Sequence, residues 1–180
     1  MKDKKDIRKA TEKELQDFLL TNGYAKFRQK QINHWLWKKH VDKFEKMNNM
    51  PKKIIEKLNA SFSLRQINID KKQISTDGTV KYKMGLYDNQ FIESVIIPSK
   101  NRLTACISSQ VGCSLACKFC ATGLLDLKRN LDYAEIYDQV YILNKECKKM
   151  FDKNLTNIVF MGMGEPLLNY ANVLSAISLI

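Results

Sequence analysis

The sequence predicts an α/β protein: the start of a parallel α/β unit, preceded by a small helical region and a β-hairpin region. Three observations carry that expectation. The first sixty residues repeat their apolar positions at helical spacing. Strict two-residue alternation sets in after Asp77-Gly78. From Arg102 onward the pattern runs strand, loop, helix, strand, the order of a parallel βαβ unit. The domains are accordingly expected at 1–64, helical; 65–98, a β-hairpin or linker region; and 99–180, an α/β core.

In the first of these, Thr11-Glu-Lys-Glu14 reads as a capping box. Leu15, Phe18 and Leu19 share one apolar face, and Gly23 is a natural stop. A second helix is expected over 25–40, burying Ile32, Trp35 and Leu36. Pro51 suits the first position of a third, which carries Ile54, Ile55 and Leu58. Trp35 and Trp37 could stack on bases, but helical spacing makes Trp35 a core residue. His34 and His40 have no cysteine or carboxylate pattern around them and read as ordinary histidines.

Next, Val80, Tyr82, Met84 and Leu86 alternate with polar or small residues behind the Asp77-Gly78 hairpin signal. A further strand, Phe91 to Ile97, is expected to end at Pro98. Glu93 is a lone carboxylate among apolar neighbours. On a buried face it needs a partner or a raised pKa; otherwise its face is solvent.

The third region begins with a strand over Arg102–Ser109, followed by a cysteine-rich loop. Asp132 can cap a helix over about 133–150, with Ile136, Val140, Leu143 and Cys147 on one stripe, so Cys147 reads as a core thiol. A short strand, Asn157 to Met161, leads into Gly162-Met-Gly-Glu-Pro166. A right-handed βαβ unit puts both strand ends on one edge, where α/β barrels place active sites. There glycines let backbone approach a ligand, and Glu165 offers a carboxylate to an ammonium group.

Composition narrows the class. The chain has 180 residues, 44% hydrophobic, with a net charge of +11. No apolar run reaches the roughly 18 residues of a membrane span, and the first residues lack a secretory apolar stretch. Five cysteines, an odd number with three clustered, do not make a secreted disulfide framework; a reducing cytoplasm fits. Residues 1–60 hold 16 Lys/Arg against 8 Asp/Glu. That excess fits a polyanionic partner such as RNA, and equally a lysine-rich solvated surface.

The strongest chemical signal is Cys113-Ser-Leu-Ala-Cys-Lys-Phe-Cys-Ala-Thr-Gly123. Three soft thiolates so close in sequence point to a metal or an iron–sulfur cluster. A zinc knuckle with Cys106 as fourth ligand, or plain reduced thiols, are the alternatives. The spacing of Cys113, Cys117 and Cys120, with Phe119 before the last cysteine, resembles the radical S-adenosylmethionine (SAM) superfamily. Gly164-Glu165-Pro166 looks like the element that binds the amino end of SAM there. The resemblance implies a partial radical-SAM (β/α) barrel, a [4Fe–4S] cluster on the three cysteines, and SAM on the cluster's open iron, with Phe119, Gly164 and Glu165 at the cofactor.

More of the chain narrows the likeness. Ile92-Glu-Ser-Val-Ile-Ile-Pro98, Cys106-Ile-Ser-Ser-Gln-Val-Gly-Cys113 and Gly162-Met-Gly-Glu-Pro-Leu-Leu-Asn169 resemble the radical SAM RNA methyltransferases that modify carbon 2 of adenosine. Arg28-Gln-Lys-Gln-Ile32 before Trp35 resembles the family's accessory RNA-binding domain. A related family methylates carbon 8. The resemblance implies ribosomal RNA, and often transfer RNA, as substrate, an electron donor for the cluster, a monomeric cytoplasmic enzyme, and no membrane. In that family a cysteine near the C-terminus is methylated by one SAM. A second SAM yields the radical that activates the methyl group, which adds to the base. By motif position Glu93 looks like the base that removes the carbon-2 proton. Cys106 looks like the cysteine that resolves the protein–RNA adduct as a disulfide. No residue here matches the methyl carrier, so the chain reads as the N-terminal half of such an enzyme, inactive alone. A zinc-stabilised RNA-binding module is the competing reading.

Overall fold

A computed structural model describes residues 4–180, which fall into two compact units, one ending at Arg65 and the other spanning Gln66–Ile180.

In the first unit, Thr11 and Glu14 form the expected reciprocal cap of α1 (Glu12–Thr21), satisfying two backbone N–H groups that the first turn leaves without partners. Gly23, at φ +77°, turns the chain away after it. The second helix is shorter than expected. α2 covers Arg28–Asn33 and widens into a π-helical turn over His34–Lys38. Ile32 and Leu36 are nonetheless fully buried on one side. Trp35 is half-buried against the core, and its Nε1–H donates to Asn49 Oδ1 at 2.6 Å. Pro51 immediately precedes α3 (Lys52–Ser61), whose Ile54 and Leu58 join Leu19 and Ile32 at the centre. Each such side chain contributes about 1.5–3 kcal/mol by leaving water. The ends of the unit meet where Ile7 N–H donates to the Ser63 carbonyl at 2.9 Å.

The second unit is a mixed α/β structure. β1 (Asn68–Ile74), β2 (Val80–Gly85), β3 (Phe91–Ser99) and β4 (Arg102–Cys106) form an antiparallel meander. Val80, Tyr82, Met84, Ile92 and Ile96 alternate onto one buried face. β3 does not stop at Pro98: the proline pairs opposite Leu103 and the strand continues to Ser99. β4 ends at Cys106, three residues earlier than expected, because the chain then turns into the site. β5 (Gln110–Val111) and β6 (Arg129–Asn130) form a separate two-stranded ribbon.

α4 (Tyr133–Phe151) starts at the Asp132–Glu135 capping box and lays Ile136, Val140, Leu143 and Cys147 on the sheet. β7 (Asn157–Val159) then pairs in parallel with β4, completing one βαβ unit in a five-stranded sheet of order β1-β2-β3-β4-β7. A 3-10 turn over Pro166–Asn169 leads into α5 (Tyr170–Ile177). Among the described residues the sheet is mostly antiparallel and open, and no barrel closes. Among the described residues no helix is long and apolar enough to cross a membrane.

Candidate functional site

The cysteine loop hangs from the β5–β6 ribbon, in which Gln110 faces Asn130 and Val111 faces Arg129. Its neck is closed by Lys128 N–H donating to the Val111 carbonyl at 2.8 Å and Cys113 N–H to the Leu125 carbonyl at 3.2 Å. Gly112 makes this possible. It has φ +78°, and a Cβ there would stand 2.1 Å from the Asp126 carbonyl oxygen. Inside the loop, Cys120 N–H donates to the Cys117 carbonyl and Gly123 N–H to the Cys120 carbonyl.

Cys113, Cys117 and Cys120 are all free and half-buried. The Cys120 thiol is held below its ordinary value, first by backbone N–H from Gly123 and then by that of Thr122. Around them the loop exposes apolar surface: Phe119 is 93% exposed and Leu124 88%. Among the described residues no three His, Cys, Asp or Glu side chains are gathered into a metal-sized cage. The donor set itself is three soft thiols on one short, backbone-tied loop. That chemistry fits an iron–sulfur cluster, whose binding would include drawing the thiols together.

The glycine-rich loop after β7 is sewn to the start of the cysteine loop. The Met163 carbonyl accepts from Ser109 N–H at 2.9 Å and Gln110 N–H at 3.1 Å. Glu165 N–H donates to Gln110 Oε1 at 2.9 Å, and Gly162 N–H to the Ile107 carbonyl at 3.0 Å. Gly164, at φ +92°, lets the chains approach this closely, since a Cβ would meet Gln110 Cβ at 2.4 Å. The Glu165 carboxylate is half-buried, and its Oε1 accepts from Leu167 N–H at 3.0 Å, capping the turn that follows.

Glu93 lies on the solvent face of β3, half exposed, with Oε1 3.1 Å from Lys81 Nζ. The open face, the second of the two readings of its alternation, is therefore the one realised. Val95 pairs with Cys106, so alternation puts Glu93, Val95 and Cys106 on the same side of the sheet. Cys106 is buried; desolvation raises its thiol pKa, partly opposed by a hydrogen bond from the Met161 backbone. It stands at the end of β4, on the sheet rather than in the loop. Cys147 lies in the core, where burial and then the Glu146 charge push its thiol up to about 11.

Two connectors escaped sequence reasoning. Ser108 Oγ donates to the Glu93 carbonyl at 2.6 Å and accepts from Met163 N–H at 2.9 Å. Gln139 of α4 clasps Ser108, accepting from its N–H at 2.8 Å and donating to its carbonyl at 3.0 Å, and accepts from Ser94 Oγ at 2.9 Å. Strand β3, the cysteine loop and the glycine loop are thereby tied through one buried hydroxyl. The second connector, Arg129, makes a bidentate pair with Glu135 at 2.8 Å and reaches Asp88 at 2.6 Å. The sequence signal for Ser108 and Gln139 is only that both are polar at apolar-rich positions.

Residues 5–64 match the family described as "Ribosomal RNA large subunit methyltransferase N-terminal domain". The chain is 51% identical over 174 residues to "Probable dual-specificity RNA methyltransferase RlmN" of Cytophaga hutchinsonii, covering 97% of this chain and 48% of that protein. It is 46% identical to "Dual-specificity RNA methyltransferase RlmN" of Buchnera aphidicola, covering 99% and 49%. A crystal structure of a radical SAM methyltransferase from Sphaerobacter thermophilus superposes with a TM-score of 0.81 at 33% identity, covering 97% of this chain and 51% of that one. The chain spans about half the length of the curated relatives it matches.

Proposed function

We propose that this chain, similar over nearly all its length to the dual-specificity radical SAM RNA methyltransferases, carries the cluster-bearing and RNA-binding part of such an enzyme. The reaction is transfer of a methyl group to carbon 2 of adenosine in 23S ribosomal RNA and in transfer RNA, in the cytoplasm. The observation that carries this reading is the hydrogen-bonded seam between the Gly162–Glu165 loop and Ile107–Gln110, the stretch that leads into the cysteine loop; it supports reading the two distant motifs as parts of one site.

Cys113, Cys117 and Cys120 would hold a [4Fe–4S] cluster, which supplies an open iron for SAM and the electron that starts radical chemistry. The Gly164 backbone and the Glu165 carboxylate would receive the ammonium end of SAM, and Phe119 would cover the loop beside it. Glu93, on the open sheet face, would take the proton from carbon 2 of the base. Cys106, opposite Val95 on the neighbouring strand, would resolve the enzyme–RNA adduct. The basic N-terminal unit would hold the RNA. None of the five cysteines suits the methyl carrier that the family requires: three are on the loop, Cys106 has another role, and Cys147 is sealed in the core.

Anaerobic reconstitution tests the reading. The expected product is one [4Fe–4S] cluster per chain, with a brown chromophore lost in each of Cys113→Ala, Cys117→Ala and Cys120→Ala. Stoichiometric zinc and no iron in protein purified without air would overturn it in favour of a zinc-stabilised RNA-binding module.

A further inference from the structure

Phe27, at the start of α2, is 57% exposed. A single exposed phenylalanine is ordinary surface, but the surroundings of this one are not. The Arg28 guanidinium carbon stands 4.9 Å from the ring centroid, within cation–π range. Arg28 Nη1 donates to Gln31 Oε1 at 2.7 Å, so the guanidinium is already held in place beside the ring. Lys30, His34 and Lys38 follow along the same helical face, all exposed. No Asp or Glu occurs between Asp17 and Asp42, while Lys26, Arg28, Lys30, Lys38 and Lys39 do. Lys30 and Lys38 thus belong to a run of cations with no acidic residue among them in sequence, next to one preset aromatic face.

We infer that Phe27, backed by Arg28, is a stacking platform for one unpaired RNA base, with the Lys30–Lys38 line holding the adjoining phosphates. The inference rests on the RNA reading above and adds to it a subsite and a preference for single strands. The chemistry is specific to that class. Phosphates account for the cations alone, and an apolar partner accounts for the ring alone; a splayed-out nucleotide presents both an anion and a π face. A duplex keeps its base faces stacked and cannot use the ring.

The test uses the whole 180-residue chain and an oligouridylate of about twelve nucleotides carrying one central 2-aminopurine, a length within the usual single-strand site size. Affinity and 2-aminopurine fluorescence are read across a salt series. In Phe27→Ala, affinity is expected to fall about tenfold at every salt concentration, with loss of the protein-induced fluorescence change and no change in salt slope. Phe27→Tyr should retain both. Lys30→Ala should instead flatten the slope by roughly 0.7, one phosphate's share for a single strand. Duplex RNA of the same length should bind the Phe27→Ala chain and the wild-type chain alike. RNA binding with full affinity and unchanged fluorescence in Phe27→Ala overturns the platform and leaves the RNA reading standing. No RNA binding by the wild-type chain overturns both.

Discussion

Cys120 has backbone N–H groups of Gly123 and Thr122 aimed at its sulfur, which favours the thiolate, whereas Cys106 and Cys147 have lost water and favour the thiol. Only the thiolate is a good nucleophile. A lowered pKa populates it at lower pH, and a raised one delays it. In protein without the cluster, limited alkylation with iodoacetamide near neutral pH, followed by peptide mass mapping, should therefore modify Cys120 ahead of Cys106 and Cys147. Labelling of Cys147 ahead of Cys120 in folded protein would contradict the environments described. The same residue-level reasoning explains why the role proposed for Glu93 could not be decided from the strand pattern. Two-residue alternation says that residues 92, 94 and 96 share a face, but not which face is inside. Ser94, a polar residue, is on the buried side, where its hydroxyl donates to Gln139 of a helix 45 residues away and meets the Met84 sulfur at 3.6 Å.

At the level of elements, what was legible was what is local. The capping box of α1, the Asp132 cap of α4 and the strand alternation of β2 depend on near neighbours, and all appear as read; that Glu135 completes a box at α4 was not read. The Ser108–Gln139 clasp joins groups 31 residues apart, and local patterns carry no trace of it; the π-helical turn after α2 and the passage of β3 through Pro98 to pair with Leu103 were not legible in them either. The motifs of the candidate site were legible for the same reason: the cysteines and glycines lie in two short stretches. Their joining through Gln110 and Met163 was not. The two kinds of contact should also differ in cost. Asp132→Ala removes a cap that accepts from Ala134 N–H and Glu135 N–H, which water can partly replace, so about 1 kcal/mol of stability is expected to go. Gln139→Leu leaves the buried Ser108 N–H and carbonyl without partners, at about 1–3 kcal/mol for each group left unsatisfied, and leaves the Ser94 hydroxyl only the weak Met84 sulfur acceptor. Urea denaturation should rank Gln139→Leu well below Asp132→Ala. The reverse order would mean that the clasp is not what ties α4 to the sheet.

Across the whole molecule the two edges of the sheet are unlike. β1 is exposed throughout and carries Asp70, Lys71 and Lys72, the charges that keep an edge strand from pairing with another chain. β7, Asn157–Val159, carries none. Beside it a groove of about 580 Å³ runs between α4 and the strand, lined by Tyr137, Tyr141, Asn144, Leu155, Ile158 and Ile180. α5 adds Leu174 and Ile177, 45% and 50% exposed. Exposed apolar side chains on α5, beside a strand edge that carries no charge, are the kind of surface that captures hydrophobic dyes and other copies of a chain. The 180-residue protein should accordingly enhance anilinonaphthalene sulfonate fluorescence and show concentration-dependent association in sedimentation velocity. Ile177→Lys combined with Ile180→Lys puts two charges on the flank at exposed positions. Such changes usually shift stability by no more than about 0.5 kcal/mol. Melting should thus be nearly unchanged, while dye enhancement falls by roughly half and association weakens. If the double variant binds dye and associates like the wild-type chain, the adhesive surface lies elsewhere, and the exposed apolar residues of the cysteine loop, Phe119 and Leu124, become the place to look.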